Sequence, residues 1–430
     1  MRKACVACRK QKVRCQENED DPSAPCKRCR RRKDSSSGKI IHRTVCVRTL
    51  TVSSIRIIRQ GGLGLTRRWE GTKMMDVTDW PADSVIKPIC MLQGLIEEPI
   101  VVNVRKFTPT DGDVTSRPYN YQGSQKSVPL EPYCLASIHD TANYFSGYLS
   151  RTAVDGLKEA AHKSGPLVRD TYAMIHEHAV KLMGRVDYGL ETGRVKEKEF
   201  FLTVIKLVWC MRHTTGSVWL GGKEKLGMEV PQEEGYPLQN PWTGENEVML
   251  PRMIVAQFDS IQNERILPSL LKRVLTELES YLSSCKDEWF TMYLAVFMLL
   301  HEISVASQDR YRWACDHQQK ARYGGGKYAS LGMYVENFQK ASHPLLAYWH
   351  YYKVDELDSV DWNALGKTKK LKHLEPNQVE FMRKSMLMLR DEEKHIPNPP
   401  ACWEHELFFV SHMFKQKWDV GYQTFNFMDE

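Results

Sequence analysis

The sequence predicts a small, metal-stapled N-terminal module and a mainly α-helical domain, joined by a short irregular segment containing a few strands. Three observations carry this reading. Six of the 12 cysteines (Cys5, Cys8, Cys15, Cys26, Cys29 and Cys46) fall within the first 46 residues, whereas Cys90, Cys134, Cys210, Cys285, Cys315 and Cys402 are scattered singly. Apolar residues recur at helical spacing from about Pro132 onward. Between these regions lie short runs of β-branched residues broken by Gly and Pro. At 430 residues the chain is long for a single core, and a hydrophobic content of 42% is enough to fold most of it. Collagen-like and wholly disordered classes are thereby excluded.

The head of the chain is distinct in charge as well as in cysteine. Residues 1–48 hold 15 Lys and Arg against 5 Asp and Glu, a net of +10, and the remainder is at −3. Such a basic head favours phosphate-bearing partners, nucleic acid first. Residues 1–33 contain few large apolar side chains beyond Val6 and Val13, so no hydrophobic core can form there and a staple is required. Asp34–Gly38 is a polar, flexible insert. The first residues hold no apolar h-region, so no secretory signal is expected. In a reducing compartment the clustered thiols then read as metal ligands rather than disulfides. The longest apolar stretch, 289–300, is too short to span a bilayer, so no membrane partner is expected.

The elements follow in order. Residues 50–58 alternate loosely and 100–107 are rich in Val, so both read as strands; the rest of 60–130 reads as irregular. Helices are expected at 134–163, 166–185, 197–213, 252–284, 287–309, 332–341, 344–353, 376–393 and 402–418, with a long loop over 221–250. The segment 289–303 is apolar nearly all round and reads as the central buried helix. The resulting division is 1–48 as the cysteine module with an inserted loop at 34–44, 49–130 as linker and short-strand segment, and 131–430 as an all-α domain. No leucine heptads follow the basic head.

The cysteines are spaced C-x2-C-x6-C-x10-C-x2-C-x16-C. Each C-x2-C pair can aim two thiolates at one tetrahedral zinc. A short helix from Cys8 to Arg14 would bring Cys15 onto the face of Cys8. One zinc leaves two cysteines unused. Two zincs need eight bonds, which six thiolates supply if two of them bridge.

The stretches CVACRKQKVRC and APCKRCRRRK, covering residues 2–33, resemble the Zn2Cys6 binuclear-cluster DNA-binding domain of fungal transcription factors. The resemblance implies two short helices around two Zn2+, with Cys5 and Cys26 as the bridging thiolates and Pro25 shaping the turn between the halves. It further implies that the helix after Cys8 enters the DNA major groove. Gln11 and Lys12 then read bases of a CGG-type triplet, and Arg9, Lys10, Arg14 and Lys27 hold phosphates. Gln11 stands where the family usually carries Lys or Arg.

The sixth ligand departs from the family spacing, since Cys46 follows Cys29 by a longer interval that looks like an insertion at 34–44. Doubling a closed loop costs only about 0.6 kcal/mol, small beside the ~10–16 kcal/mol apparent binding free energy of a structural zinc. Cys46 is therefore the expected sixth ligand. His42 and an incomplete five-thiolate cluster are the alternatives.

Other motifs carry little. Gly324–Lys327 lacks the frame of a phosphate loop, and His176 and His178 are spaced for different helix faces. Cys134 with His139 is no evidence of a nucleophile pair, and Tyr348, Trp349, Tyr351 and Tyr352 read as core packing. No catalytic constellation appears, so the chain is not expected to be an enzyme. The expected function is sequence-specific, DNA-binding transcription regulation in the nucleus, with KRCRRRK (27–33) doubling as an import signal. Co-regulators or the transcription machinery are the expected protein partners, and any homodimer would form without an evident coiled coil. The alternative is a nuclear protein-interaction protein whose zinc module is degenerate and does not read DNA.

Overall fold

The computed structural model describes residues 4–5, 8–9, 12–16, 26–30, 46, 50, 65–184, 192–284, 288–316, 331–352, 357, 360–362, 371, 373–396 and 401–415. Of the expected strand at 50–58 only Leu50 is among them, where it is buried in the main core. The inserted loop at 34–44 and the glycine run at 324–327 lie outside the described residues.

Among the described residues a four-residue helix, α1 (Lys27–Arg30), and five strands precede the first long helix: β1 (Ile86–Leu92), β2 (Ile100–Lys106), β3 (Ser116–Tyr121), β4 (Ser124–Pro129) and β5 (Tyr133–Leu135). Helices α2 (Ile138–Ala160), α3 (Pro166–Gly184) and α4 (Thr192–Arg212) follow. Two short strands, β6 (Trp219–Gly221) and β7 (Val248–Met249), flank the Gly- and Pro-rich stretch. Then come α5 (Arg252–Ser260), α6 (Leu267–Ser284), α7 (Trp289–Asp316), α8 (Leu331–Tyr352), α9 (Pro376–Glu392) and α10 (Phe408–Ser411).

The sheet is antiparallel, in the order β5-β2-β1-β6-β7, with Ile86 opposite Arg105, Cys90 opposite Val101, Leu92 opposite Trp219 and Val104 opposite Leu135. Along β2 burial alternates, so Ile100, Val102 and Val104 enter the core while Val101 and Asn103 face outward. Strands from both sides of residue 130 therefore share one sheet, and a continuous core runs from Ile89 through the helices to Phe414. Gln257 of α5, fully buried, accepts a 2.7 Å hydrogen bond from the Leu135 amide and ties the sheet edge to the helices.

The irregular reading of 60–130 is corrected in two places. β1 was not expected, and neither was the hairpin β3–β4. Its two-residue turn places both Gln122 (φ 45°) and Gly123 (φ 77°) in left-handed conformations, as a type I′ turn requires.

The helices are nearer to expectation. Ser137 caps α2 by accepting from the Asp140 amide at 3.1 Å, and Asp76 accepts from the Ile138 amide at 2.7 Å. Pro376 opens α9 within a capping box formed by Glu375 and Gln378. The expected helix at 252–284 is broken by a wider, π-type turn at Ile261–Ile266. The two helices expected either side of Pro344 are one, α8, and the expected 402–418 contains only a short turn and α10 among the described residues.

Helix α7 sits at the centre. Every residue from Tyr293 to Leu300 is at most 3% exposed. By length and hydropathy this helix could cross a membrane, but 94% of its most apolar window is buried inside the protein. Trp349 of α8 packs on it, its ring centroid 6.0 Å from Trp289 and 6.1 Å from Tyr293.

Candidate metal centre

The described part of the cysteine module includes two short loops. In the first, the Arg9 amide donates to the Cys5 carbonyl at 2.9 Å, starting a helical turn. That turn closes early. The Lys12 amide donates to the Arg9 carbonyl and the Val13 amide to the Cys8 carbonyl, both at 3.0 Å, with Lys12 at φ 52°. This bonding is a Schellman stop, in which Lys12 takes the left-handed place usually given to glycine. A helix running to Arg14 is thus corrected to one that ends before Lys12, and Cys15 reaches the centre by the turn itself. In the second loop, α1 follows Cys26 and carries Cys29. The Lys27 amide donates to the Gln16 carbonyl at 2.9 Å, joining the two loops.

Cys5, Cys8, Cys26 and Cys29 are all buried, with their sulfurs within 4.8 Å of one another. Individual separations are 3.9 Å for Cys5–Cys26, 3.6 Å for Cys5–Cys29 and 3.8 Å for Cys8–Cys26. Thiolates about 2.3 Å from a tetrahedral zinc stand about 3.8 Å apart, so this spacing fits a zinc-thiolate centre. Cys15 and Cys46 are half-buried and pack against the four, together with Val13.

The two halves repeat one contact. The Cys5 amide donates to the Cys15 sulfur at 3.4 Å, and the Cys26 amide donates to the Cys46 sulfur at 3.2 Å. Cys46 thus stands to Cys26 as Cys15 stands to Cys5. The thiols also divide by acidity. Hydrogen bonds from Cys29 and Cys46 hold Cys5 well below the usual thiol range. Cys26 is also lowered: burial opposes ionisation, and the backbone and side chain of Cys29 overcome it. Burial raises Cys8 and Cys15. Cys46 is pushed up to about 12: the Cys29 hydrogen bond lowers it, but Cys5 and burial outweigh that. A metal bound by these thiols displaces their protons.

Among the basic candidates, Lys12 and Arg14 are exposed and Lys27 is half-buried. Lys10, Gln11, Pro25 and His42 lie outside the described residues. Arg9 is half-buried. Its guanidinium donates to Glu279 of α6 at 3.2 Å and to the Tyr348 hydroxyl of α8 at 3.0 Å. Glu279 also accepts from the Leu50 amide at 3.3 Å. Sequence reasoning missed this seat, because Glu279 and Tyr348 lie on separate helices with no local motif.

The remaining candidates are absorbed by packing. The Thr291 hydroxyl donates to Glu197 at 2.5 Å, so His178 Nε2, 2.7 Å from that hydroxyl, is the donor to it. His176 bonds Asp155 instead. Cys134 is fully buried in β5, where burial pushes its thiol up to about 12 and its sulfur donates to the Arg105 carbonyl. His139 is exposed beside Asn143. Tyr348 and Trp349 are buried in the core.

No curated protein and no solved structure matches the chain. One family model does, that of the KpeA transcription factor, over residues 60–406. The matched span begins beyond the last clustered cysteine and takes in the whole sheet and nearly all of the helical body, so it bears on the chain independently of the cysteines. The chain belongs to the KpeA transcription factor family.

Proposed function

We propose that this transcription factor is a sequence-specific DNA-binding regulator of the nucleus. In this reading Cys5, Cys8, Cys15, Cys26, Cys29 and Cys46 hold two Zn2+, with Cys5 and Cys26 bridging. The observation that carries it is the convergence of the clustered thiols at 3.6–3.9 Å separations, with Cys15 and Cys46 in equivalent places, on the most basic part of the chain. Zinc staples a segment that has no apolar core of its own. Exposed Lys12 and Arg14 then offer charge to DNA, and Lys12 suits guanine O6 and N7 of a CGG-type triplet. Lys10, Gln11 and Lys27 complete the proposed DNA face, together with Arg9 as a phosphate contact once it leaves Glu279. Co-regulators are the proposed partners of the helical body, and the reading includes no catalytic step.

An unbiased duplex selection with the zinc-loaded full chain tests this. Enrichment of a CGG-containing motif is expected, and Lys12→Ala should lose roughly 1–3 kcal/mol of discrimination at one base pair. No enrichment at low salt overturns the DNA reading. The engagement of Arg9 by Glu279 favours a second reading, in which the module docks on protein rather than DNA. One zinc per chain instead of two would support that alternative.

A further inference from the structure

We infer that the helical body competes with DNA for the zinc module, through a latch in which Glu279 and Tyr348 occupy Arg9. This rests on the reading of the module as a DNA binder, in which Arg9 is a phosphate contact. The latch has two arms and one hub. Before the module's first turn closes, Arg9 donates to Glu279 Oε1 at 3.2 Å and to the Tyr348 hydroxyl at 3.0 Å. Beyond Cys46, the Leu50 amide donates to Glu279 Oε2 at 3.3 Å, and the Leu50 side chain is buried in the main core. The two oxygens of one carboxylate therefore pin the module to α6 at two places, Arg9 next to Cys8 and Leu50 beyond Cys46.

The chemistry of the seat explains the competition. A carboxylate oxygen and a phosphate oxygen are the same kind of charged acceptor for a guanidinium. Glu279 is a stand-in for the DNA backbone, held within the chain. Its side chain is only 12% exposed and that of Arg9 28%, so the pair is partly desolvated and less screened by salt than a surface pair. Tyr348 adds a neutral hydroxyl from a fully buried ring, which fixes the direction of the guanidinium. One guanidinium so held cannot also face a phosphate. Docking and full DNA contact thus exclude each other at Arg9, and anything that separates α6 or α8 from the module frees one more cation for DNA.

The test uses the full zinc-loaded chain, a CGG-containing duplex, and Glu279→Gln and Tyr348→Phe, two changes that preserve side-chain shape. Each should raise DNA affinity roughly three- to tenfold, with the salt dependence steeper by about one phosphate contact. Adding Arg9→Ala to Glu279→Gln should erase the gain. Amide exchange at Leu50 reports docking directly: it should be slow in the free chain and accelerate with DNA or with Glu279→Gln. Duplex binding that is identical in all variants overturns the latch and leaves the DNA reading intact. Fast Leu50 exchange in the free wild-type chain does the same. Slow Leu50 exchange with no duplex binding by any variant, even at low salt, overturns the DNA reading and the latch with it.

Discussion

Cys46 follows Cys29 by sixteen intervening residues, yet its sulfur sits where Cys15 sits in the other half of the module. The spacing alone left Cys46, His42 and a five-thiolate cluster as competing answers. The tertiary contact with the Cys26 amide places the thiol beside its neighbours, and loop closure opposes it by less than a kilocalorie. On the proposed two-zinc reading, replacing Cys46 with Ala is expected to lower bound zinc from two per chain toward one, read by metal analysis after dialysis. His42→Ala should leave the count unchanged; the reverse result would assign the ligand to His42. Arg9 gives the opposite lesson. As a basic residue beside a cysteine it is legible as a phosphate contact, and nothing local announces Glu279.

At the scale of elements, the long helices were legible, and of the sheet only β2, where the Val-rich run at 100–107 reads as a strand. Helix signals repeat over many turns, so α2, α3 and α9 lie close to their expected bounds, although residues 134 and 135, expected to open α2, belong to β5. Strands β5, β6 and β7 span only three, three and two residues, too few for an alternation to show. The hairpin β3–β4 is polar and turns at Gln122-Gly123 rather than at the commoner Asn-Gly. Pro344 argued for two helices because it lacks an amide hydrogen and crowds the preceding turn. The packing of α8 on α7 holds one helix through it.

Gly156 shows how tightly these elements meet. A Cβ there would lie 2.5 Å from the Trp209 ring of α4, whose indole nitrogen donates to Thr152 at 2.9 Å. Gly156→Ala should destabilise the protein by about 1–3 kcal/mol in urea unfolding, despite the ~1 kcal/mol gain in helix propensity. An unchanged midpoint would mean that α2 and α4 can separate freely.

The whole molecule buries several titratable groups, and they set its response to pH. Burial pushes His213 and His412 down to about 3, and His343 down to about 4. Each has a folded pKa below its unfolded 6.5, so its contribution is present above pH 6.5 and is lost as the pH falls below that value. Burial pushes Glu302 up to about 7, against the attraction of Arg212 at 2.6 Å. Its contribution has the opposite sign: present below pH 4.5, lost as the pH rises toward 7. Three histidines at up to about 1.4 kcal/mol per pH unit each outweigh one carboxyl. Stability should therefore fall on acidification from pH 6.5 to 5, measured as a lower urea midpoint. A midpoint constant over that window would show that these histidines protonate freely in the fold.

What the sequence determined by itself was local and compositional. It located the six clustered thiols and the charge of the head, the helical character beyond residue 132, and the fully apolar α7. Each of these depends on residues a few positions apart, so spacing is enough to read it. Only the tertiary structure decided that strands from either side of residue 130 share one sheet, and that Cys46 joins the thiols. It alone placed Arg9 against Glu279 and Tyr348. Those are contacts between residues far apart in the chain, and their partners are chosen by how the whole core packs rather than by any pattern within reach of the pair.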